Sequence, residues 1–176
     1  VPVPLPTPNS LGGRQAYDAL LIRLMESCLA SVAIAPKEFS EYILEAAKGL
    51  TLRFVGTPEM FAELAQDRSG LNPSGPKDLA YIQFTSGSTR FPRGVMITHE
   101  AVLANLTAII EDGLNVQAGD RAVSWLPFYH DMGLVGLVLA TMTAQISVDF
   151  LKTTDFAMRP WLWLKLMSQN RGTLSF

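Results

Sequence analysis

The sequence predicts an α/β fold in which helices flank a layered, at least partly parallel sheet. Short apolar stretches typical of strands alternate along the chain with stretches whose apolar residues recur at helical spacing, and this alternation favours parallel layers. A hydrophobic content of 48% with 17% charged residues over 176 residues also allows a substantial buried core. We therefore expect an ordinary folded globular unit.

The first part of the chain is predicted to alternate helix and strand twice. Apolar residues at helical spacing predict a helix over residues 16–29, and a short apolar strand over 31–35 follows it. A second helix is expected over 36–49, because it opens with a proline and ends at a glycine. Alternating residues over 51–55 then predict a second strand.

The middle of the chain contains a long loop and then two strands. Residues 66–77 are rich in Gly, Pro, Ser and Asn, which predicts a loop. Leu79–Phe84 and residues 95–98 are strand-like, and the hydroxyl-rich stretch 85–89 lies between them. The loop with the most polar side chains is therefore expected to connect two strands.

The remaining elements continue the alternation. Strands are predicted over 121–126 and 146–151, a helix over 161–167, and the start of another strand over 172–176. Because the chain starts without a methionine in a proline-rich stretch and stops within a strand-like one, we expect it to be a fragment of a longer protein.

Local chemistry predicts where three helices start. Thr57 and Thr98 have the hydroxyl side chains that cap helix N-termini, and the helix after Thr98 is expected to start near residue 100 and run to 110. Asp131 can cap an apolar helix that ends near residue 144. That apolar stretch is predicted to be a buried helix, because it is shorter than the roughly 20 residues that a membrane span needs.

Charge and cysteine content limit the partners and the cellular compartment that the sequence suggests. A net charge of −2 without a Lys/Arg cluster argues against a nucleic-acid partner or an anionic membrane surface. Cys28 is the only cysteine, which excludes an internal disulfide and a thiolate metal site and suits a reducing, cytoplasmic location. The expected partners are small molecules or proteins.

The loop after the strand at Leu79–Phe84 carries the clearest chemistry. Residues 85–94 read TSGSTRFPRG, which combines hydroxyl side chains, glycines and arginines. Small residues let backbone N–H groups approach phosphate oxygens, hydroxyls add hydrogen bonds, and a guanidinium adds a permanent charge. This composition predicts a polyphosphate-binding loop, although composition alone also suits a surface turn. It is neither a Walker P-loop nor a G-x-G-x-x-G dinucleotide fingerprint.

The order of residues in this loop resembles the signature loop of adenylate-forming enzymes, which include acyl-CoA synthetases, luciferases and peptide-synthetase adenylation domains. The usual form is T-S-G-[ST]-T-G-x-P-K-G-V, and the matching positions are Thr85, Ser86, Gly87, Ser88, Thr89, Pro92, Gly94 and Val95. Arg90 replaces the usual glycine and Arg93 the usual lysine. The sequence TSGSTRxP is similar to the form of this loop in fatty acyl-AMP ligases. The two substitutions therefore favour the fatty acyl-AMP ligase branch of the superfamily.

A second motif precedes the apolar helix. Residues 124–134 read SWLPFYHDMGL. Taken alone, His130 suits an ordinary histidine near a helix start, and Asp131 suits a simple N-cap. The stretch resembles, however, the next core motif of the same superfamily in the form that fatty acyl-AMP ligases use, and it follows the loop in the right order. The resemblance extends over essentially the whole chain.

The resemblance implies roles for specific residues. The loop residues would bind the ATP phosphates, namely Thr85, Ser86, Gly87, Ser88, Thr89, Arg93 and Gly94. His130 would act as the catalytic residue near the substrate carboxylate, with Asp131 beside it, and Met132, Gly133 and Leu134 would help to wall the acyl pocket. An apolar wall suits a long aliphatic acid, because each buried methylene contributes about 0.8 kcal/mol. Ordinary core packing would also explain these last three residues.

The resemblance also implies an activity for the full-length protein, namely conversion of a fatty acid and ATP to acyl-AMP and transfer of the acyl group to an acyl carrier protein. Mg²⁺ is expected there, with its ligands outside this chain. The later superfamily motifs do not occur before Phe176. We therefore expect residues 1–176 to be a partial N-terminal, ATP- and acyl-binding domain that lacks the C-terminal domain and is inactive alone. An acyl-CoA ligase, a peptide-synthetase-type adenylation domain and a non-catalytic nucleotide- or acyl-binding module remain alternatives.

Overall fold

The computed structural model describes residues 1–8, 13–65, 70, 72–85 and 92–175, which belong to two compact units. The smaller unit comprises residues 6–73 and 84–94, and the larger unit comprises residues 1–5, 74–83 and 95–176. Each unit contains a parallel strand pair accompanied by helices. The predicted α/β class is therefore confirmed.

The smaller unit holds the first helices and strands of the chain. Its elements are α1 (Gly13–Ser27), β1 (Val32–Ile34), a 3₁₀ turn (Lys37–Phe39), α2 (Ser40–Ala47), β2 (Phe54–Gly56) and α3 (Pro58–Ala62). β1 and β2 are parallel, with Val32 opposite Phe54 and Ile34 opposite Gly56. Both predicted helices and both predicted strands are present, but β2 begins at Phe54 rather than at residue 51, because its pairing with β1 starts there.

Apart from one terminal residue in each of two strands, the larger unit contains the remaining elements. They are β3 (Leu79–Phe84), β4 (Gly94–Thr98), α4 (His99–Thr107), a π-helical segment (Ala108–Gly113), β5 (Arg121–Ser124), a second π-helical segment (Met132–Leu139), α5 (Ala140–Thr143), β6 (Ser147–Phe150), α6 (Thr153–Met158) and α7 (Trp161–Asn170). Phe84 at the end of β3 and Gly94 at the start of β4 belong to the smaller unit. β3 pairs with β4, and β5 pairs in parallel with β6. The predicted loop at 85–93 does connect two paired strands.

A polar contact ties β5 to its neighbour β6. The Arg121 guanidinium donates to the Asp149 carboxylate at two points, Nε to Oδ2 at 2.6 Å and a terminal nitrogen to Oδ1 at 3.1 Å. These hydrogen bonds lower the pKa of Asp149. On its other side, β5 forms a single parallel bridge from Ala122 to Leu174, which agrees with the strand predicted near the end of the chain.

The apolar helix after Asp131 is buried along its middle and exposed near its ends. Val135 and Ala140 join Tyr81, Val102 and Leu106 in the core of the larger unit. Met132 and Met142, however, are 48% and 63% exposed. The predicted buried helix is therefore present, and its exposed residues lie only near its two ends. Among the described residues, no helix is long and apolar enough to cross a membrane.

Two of the predicted helix caps form as expected. The Thr57 hydroxyl oxygen accepts a hydrogen bond from the Met60 N–H at 3.4 Å at the start of α3. The Thr98 hydroxyl oxygen accepts from the Ala101 N–H at 3.2 Å at the start of α4. Each bond satisfies a backbone donor that has no partner within the helix. Local chemistry therefore located both helix starts to within about a residue.

Leu29 offers a test of backbone strain. It follows α1 with a φ of 51°, a left-handed conformation that side chains disfavour, and it is 88% exposed. Replacing it with glycine removes the strain without removing a packed side chain, so we expect Leu29→Gly to raise the free energy of unfolding by about 0.5–1 kcal/mol. Urea denaturation measures this change. The control is Leu64→Gly at a 48% exposed residue outside the left-handed region, which should lose stability. A loss for both variants contradicts the expectation.

Candidate functional site

Hydrogen bonds between Thr85 and Arg93 join the two ends of the predicted phosphate loop. The Thr85 N–H donates to the Arg93 carbonyl oxygen at 2.9 Å, and the Arg93 N–H lies 3.4 Å from the Thr85 hydroxyl oxygen. Both residues are exposed. These bonds continue the pairing of β3 with β4 by one step and fix the width of the loop at its base. Thr85 therefore uses its backbone and its hydroxyl to hold Arg93 beside it.

The side chains at this base differ in what they can offer a ligand. Arg93 takes part in none of the ion pairs found among the described residues, so its guanidinium has no carboxylate within 4.0 Å there. Gly94 begins β4 and is exposed. The prediction of phosphate binding by Ser86, Gly87, Ser88 and Thr89 falls outside the described residues.

His130 and Asp131 lie together at the start of the apolar helix. The His130 Nδ1 is 2.5 Å from the Asp131 Oδ1, and the two side chains are 47% and 70% exposed. The His130 N–H donates to the Pro127 carbonyl at 3.2 Å, and the His130 carbonyl accepts from the Leu134 N–H at 2.8 Å. The backbone of His130 is therefore held on both sides, and the Asp131 carboxylate lies beside its imidazole.

Asp131 also contacts the helix that it precedes. Its Oδ1 accepts a hydrogen bond from the Met132 N–H at 2.8 Å. Asp131 itself has helical backbone angles and bonds to the adjacent residue, whereas an ordinary N-cap bonds two or three residues ahead. The predicted cap is present in this modified form. Burial raises the pKa of the neighbouring Tyr81, and the negative charge of Asp131 adds to that shift.

The three residues predicted to wall an acyl pocket have different surroundings. Met132 is 48% exposed, and Leu134 is half-buried against the core cluster. Gly133 is buried, and a Cβ at this position would overlap the Pro127 carbonyl oxygen. Gly133 therefore lets the helix approach the preceding turn closely. Of these three, Met132 has the side chain most available to a ligand.

Gln83 was not predicted as a site residue. It lies on β3, and its Nε2 donates to the Tyr129 carbonyl oxygen at 3.1 Å, immediately before His130. An amide among the otherwise apolar side chains of Leu79–Phe84 was the available sequence signal. That signal shows that Gln83 needs a polar partner, but it does not say which one.

Aromatic side chains gather where the parallel strands β5 and β6 end. Trp125 stacks on Phe156 with ring centroids 3.9 Å apart, and Phe128 meets Phe150 edge-on at 4.8 Å. Ligands of α/β sheets commonly bind outside the carboxyl ends of the strands. Phe128 and Phe150 are 51% and 44% exposed at this edge, so they offer apolar contact area beside the second motif.

A small cavity lies elsewhere in the larger unit. Its volume is about 10 Å³, and its lining includes Val116, Leu137 and Ile146. That space holds about one water molecule and is too small for a substrate. Among the described residues, no group of three His, Cys, Asp or Glu side chains is arranged to hold a metal ion.

The fold and the order of the two motifs are those of the adenylate-forming class of proteins. Residues 21–176 match the family described as AMP-binding enzyme, and this match covers most of the chain. The protein therefore belongs to the AMP-binding enzyme family, as the order of residues in its loop and its histidine motif predicted.

Two relatives align over nearly the whole chain. "Putative acyl-CoA synthetase" of Caulobacter vibrioides is 42% identical over 177 residues, which cover 100% of this chain and 30% of the relative. Long-chain-fatty-acid–AMP ligase FadD32 of Mycolicibacterium smegmatis is 32% identical over 174 residues, which cover 98% of this chain and 27% of the relative. The two names differ in the acyl acceptor that they suggest.

A solved structure shows the same fold. It comes from work on fatty acyl-adenylate ligases of E. coli and L. pneumophila and is 49% identical, with a TM-score of 0.93, over 98% of this chain and 31% of the solved one. The chain therefore spans about 30% of the length of the proteins that it matches.

Proposed function

We propose that the full-length protein activates a fatty acid with ATP and passes the acyl group to an acyl carrier protein. The observation that carries this proposal is the TSGSTRFPRG loop, which joins β3 to β4 and is closed at its base by Thr85 and Arg93. A carboxylate oxygen of the fatty acid attacks the α-phosphorus of ATP, and pyrophosphate leaves. The carrier thiol then attacks the acyl carbon, and AMP leaves.

The loop is proposed to bind the phosphates. Its hydroxyls and backbone N–H groups stabilise the negative charge that develops on the leaving pyrophosphate, and Arg93 contributes a positive charge. The proposed contacts are Thr85, Ser86, Gly87, Ser88, Thr89, Arg93 and Gly94. Support comes from the sequence of the loop and from the exposed position of Arg93 without a carboxylate partner among the described residues.

His130 is proposed to contact the substrate carboxylate and the adenylate. Its Nδ1 is held by Asp131, so Nε2 is the ring nitrogen proposed to face the substrate. Asp131 acts by orienting His130. Met132 and Leu134 supply apolar surface for the acyl chain, and Gly133 keeps the helix close to the turn that presents His130. The geometry fits a group that orients a carboxylate for attack.

We also propose that residues 1–176 form part of the N-terminal, ATP- and acyl-binding domain of a cytoplasmic enzyme. Mg²⁺ would neutralise phosphate charge in the full-length enzyme. As the superfamily resemblance implies, its ligands are proposed to lie on segments outside this chain. The residues of this chain bind phosphate and orient the acid.

The acyl acceptor decides between two versions of this function. FadD32 is named an AMP ligase, whereas the Caulobacter relative is named an acyl-CoA synthetase. We expect the full-length enzyme, given ATP, Mg²⁺ and a fatty acid, to acylate a phosphopantetheinylated carrier protein about tenfold or more faster than CoA. Intact-mass measurement of the carrier and chromatography of acyl-CoA follow the two products.

Each other outcome has its own meaning. Faster acylation of CoA would identify an acyl-CoA ligase. Pyrophosphate release without transfer to either thiol would support adenylation of the fatty acid and contradict transfer of the acyl group to the carrier protein. If the full-length protein releases no pyrophosphate with any fatty acid, the non-catalytic nucleotide- or acyl-binding alternative replaces the proposal. The isolated 176-residue chain should release none, since it is expected to lack the groups that bind adenine and magnesium.

A further inference from the structure

Strand β3 contacts the second motif next to His130. The Gln83 amide donates to the carbonyl oxygen of Tyr129, the residue before His130. Tyr81, two residues earlier on β3, is 7% exposed and lies within the electrostatic influence of Asp131, the residue after His130. Gln83 therefore contacts the backbone next to the histidine, and Tyr81 of the same strand lies in the core.

The spacing of these contacts follows from strand geometry. Side chains at positions 81 and 83 point to the same face of β3, about 7 Å apart along the strand. Tyr81 packs in the core cluster with Val135 and Ala140 of the helix that follows the motif. Gln83 is therefore aimed at the same segment, one step nearer to the end of the strand. Thr85, at the base of the loop, is the next residue but one along the chain.

The bond from Gln83 is costly to lose. Gln83 is partly buried, and a buried amide or carbonyl without a partner is more destabilising than a formed hydrogen bond is stabilising. The Tyr129 carbonyl belongs to the turn 127–130, whose other bond, from the His130 N–H to the Pro127 carbonyl, is 3.2 Å long. Removing the Gln83 donor is therefore expected to loosen the turn 127–130, which determines the position of the His130 side chain.

We propose that Gln83 is a positioning residue that holds His130 in place through the Tyr129 carbonyl. The kinetic part of this proposal rests on the proposed function, in which His130 contacts the substrate carboxylate. The structural part, that Gln83 fixes the turn 127–130, does not depend on the reaction. The test separates the two parts.

The kinetic test is a double-mutant cycle in the full-length enzyme. Gln83→Met removes the donor while keeping the length of the side chain. It should lower kcat/KM for the fatty acid by about tenfold and leave KM for ATP within about twofold. In a His130→Ala background the same substitution should change kcat/KM by less than about twofold, because its effect acts through the missing imidazole. If Gln83→Met lowers kcat/KM by the same factor in both backgrounds, Gln83 has only a general structural role and the proposal is overturned.

A matched control uses another glutamine that donates to a backbone carbonyl. The Gln145 Nε2 donates to the Met142 carbonyl at 2.6 Å on the surface, outside the motif. Gln145→Met should leave kcat/KM for the acid and for ATP within about twofold of the unmodified enzyme. A loss as large as that of Gln83→Met would show that any such glutamine bond matters equally, which contradicts a specific role for Gln83.

Hydrogen exchange tests the structural part without using the reaction. In Gln83→Met, the peptide that contains residues 127–134 should exchange about tenfold faster, and peptides of α7 should not change. Unchanged exchange over 127–134 overturns the proposal even if the enzyme adenylates fatty acids. Conversely, faster exchange in a protein that releases no pyrophosphate supports the turn-fixing role while the proposed function fails.

Discussion

Replacing Gly133 with alanine is expected to lower the free energy of unfolding by about 3 kcal/mol, because a Cβ there has no space. The added carbon would overlap the Pro127 carbonyl oxygen and lie 2.9 Å from the Pro127 carbonyl carbon. Both are backbone atoms of the turn before His130, so no side-chain rotation can relieve the contact. Either the helix moves away from the core or the turn is displaced. Urea denaturation followed by tryptophan fluorescence measures the loss.

Gly113 provides the matched control for this substitution. It also lies in a π-helical segment of the larger unit, but a Cβ at Gly113 would stand 3.5 Å from the Ala108 carbonyl oxygen, an ordinary contact. Gly113→Ala should therefore change stability by less than about 1 kcal/mol. If Gly133→Ala is as mild as this control, the close approach of the helix to Pro127 is not important for stability.

Where local chemistry determines an element, the sequence was sufficient to predict it. β3 matches its predicted bounds, Leu79–Phe84, because an apolar run ends abruptly at a hydroxyl-rich loop. The caps at Thr57 and Thr98 form because a hydroxyl oxygen bonds an N–H only three residues ahead. None of these features needs a partner from a distant part of the chain.

Elements that depend on distant partners were missed or misplaced. α6 (Thr153–Met158) was not predicted, since its short sequence has weak helix propensity, and it is held by the stacking of Phe156 on Trp125. The helix after Asp131 was predicted to be buried from its apolar composition, and its middle residues are buried or half-buried. Its exposed Met132 and Met142 lie near the two ends of the helix, which apolar composition does not distinguish from the buried middle.

The same limit applies to the candidate site. The loop and His130 could be found from the order of residues within two short motifs. Gln83 could not be assigned, because its partner Tyr129 lies 46 residues away. A polar residue in an apolar strand indicates a buried hydrogen bond, but only the fold identifies the acceptor. Positioning residues of this kind are therefore outside the reach of motif reasoning.

The largest expected effect on catalysis comes from Arg93. The Arg93 backbone is bonded to Thr85 at the base of the loop, and its exposed side chain pairs with no carboxylate among the described residues. In the proposed function its charge stabilises the leaving pyrophosphate. We expect Arg93→Met in the full-length enzyme to lower kcat/KM for ATP about 100-fold, which corresponds to about 2.7 kcal/mol of transition-state stabilisation. Continuous detection of pyrophosphate release measures it.

Two further variants show whether the loss reflects charge at this position. Arg93→Lys keeps a cation of the type usual in the superfamily loop, so it should restore kcat/KM to within about tenfold of the unmodified enzyme. Arg53→Met removes an exposed arginine of the same unit outside the loop and should change kcat/KM by less than about twofold. The phosphate role of Arg93 is rejected if Arg93→Met keeps kcat/KM for ATP within about twofold of the unmodified enzyme. A role of charge alone is rejected if Arg93→Lys is as impaired as Arg93→Met while the unfolding midpoints agree. In that case the loop requires the planar guanidinium for a directional hydrogen bond, and charge alone does not explain the arginine.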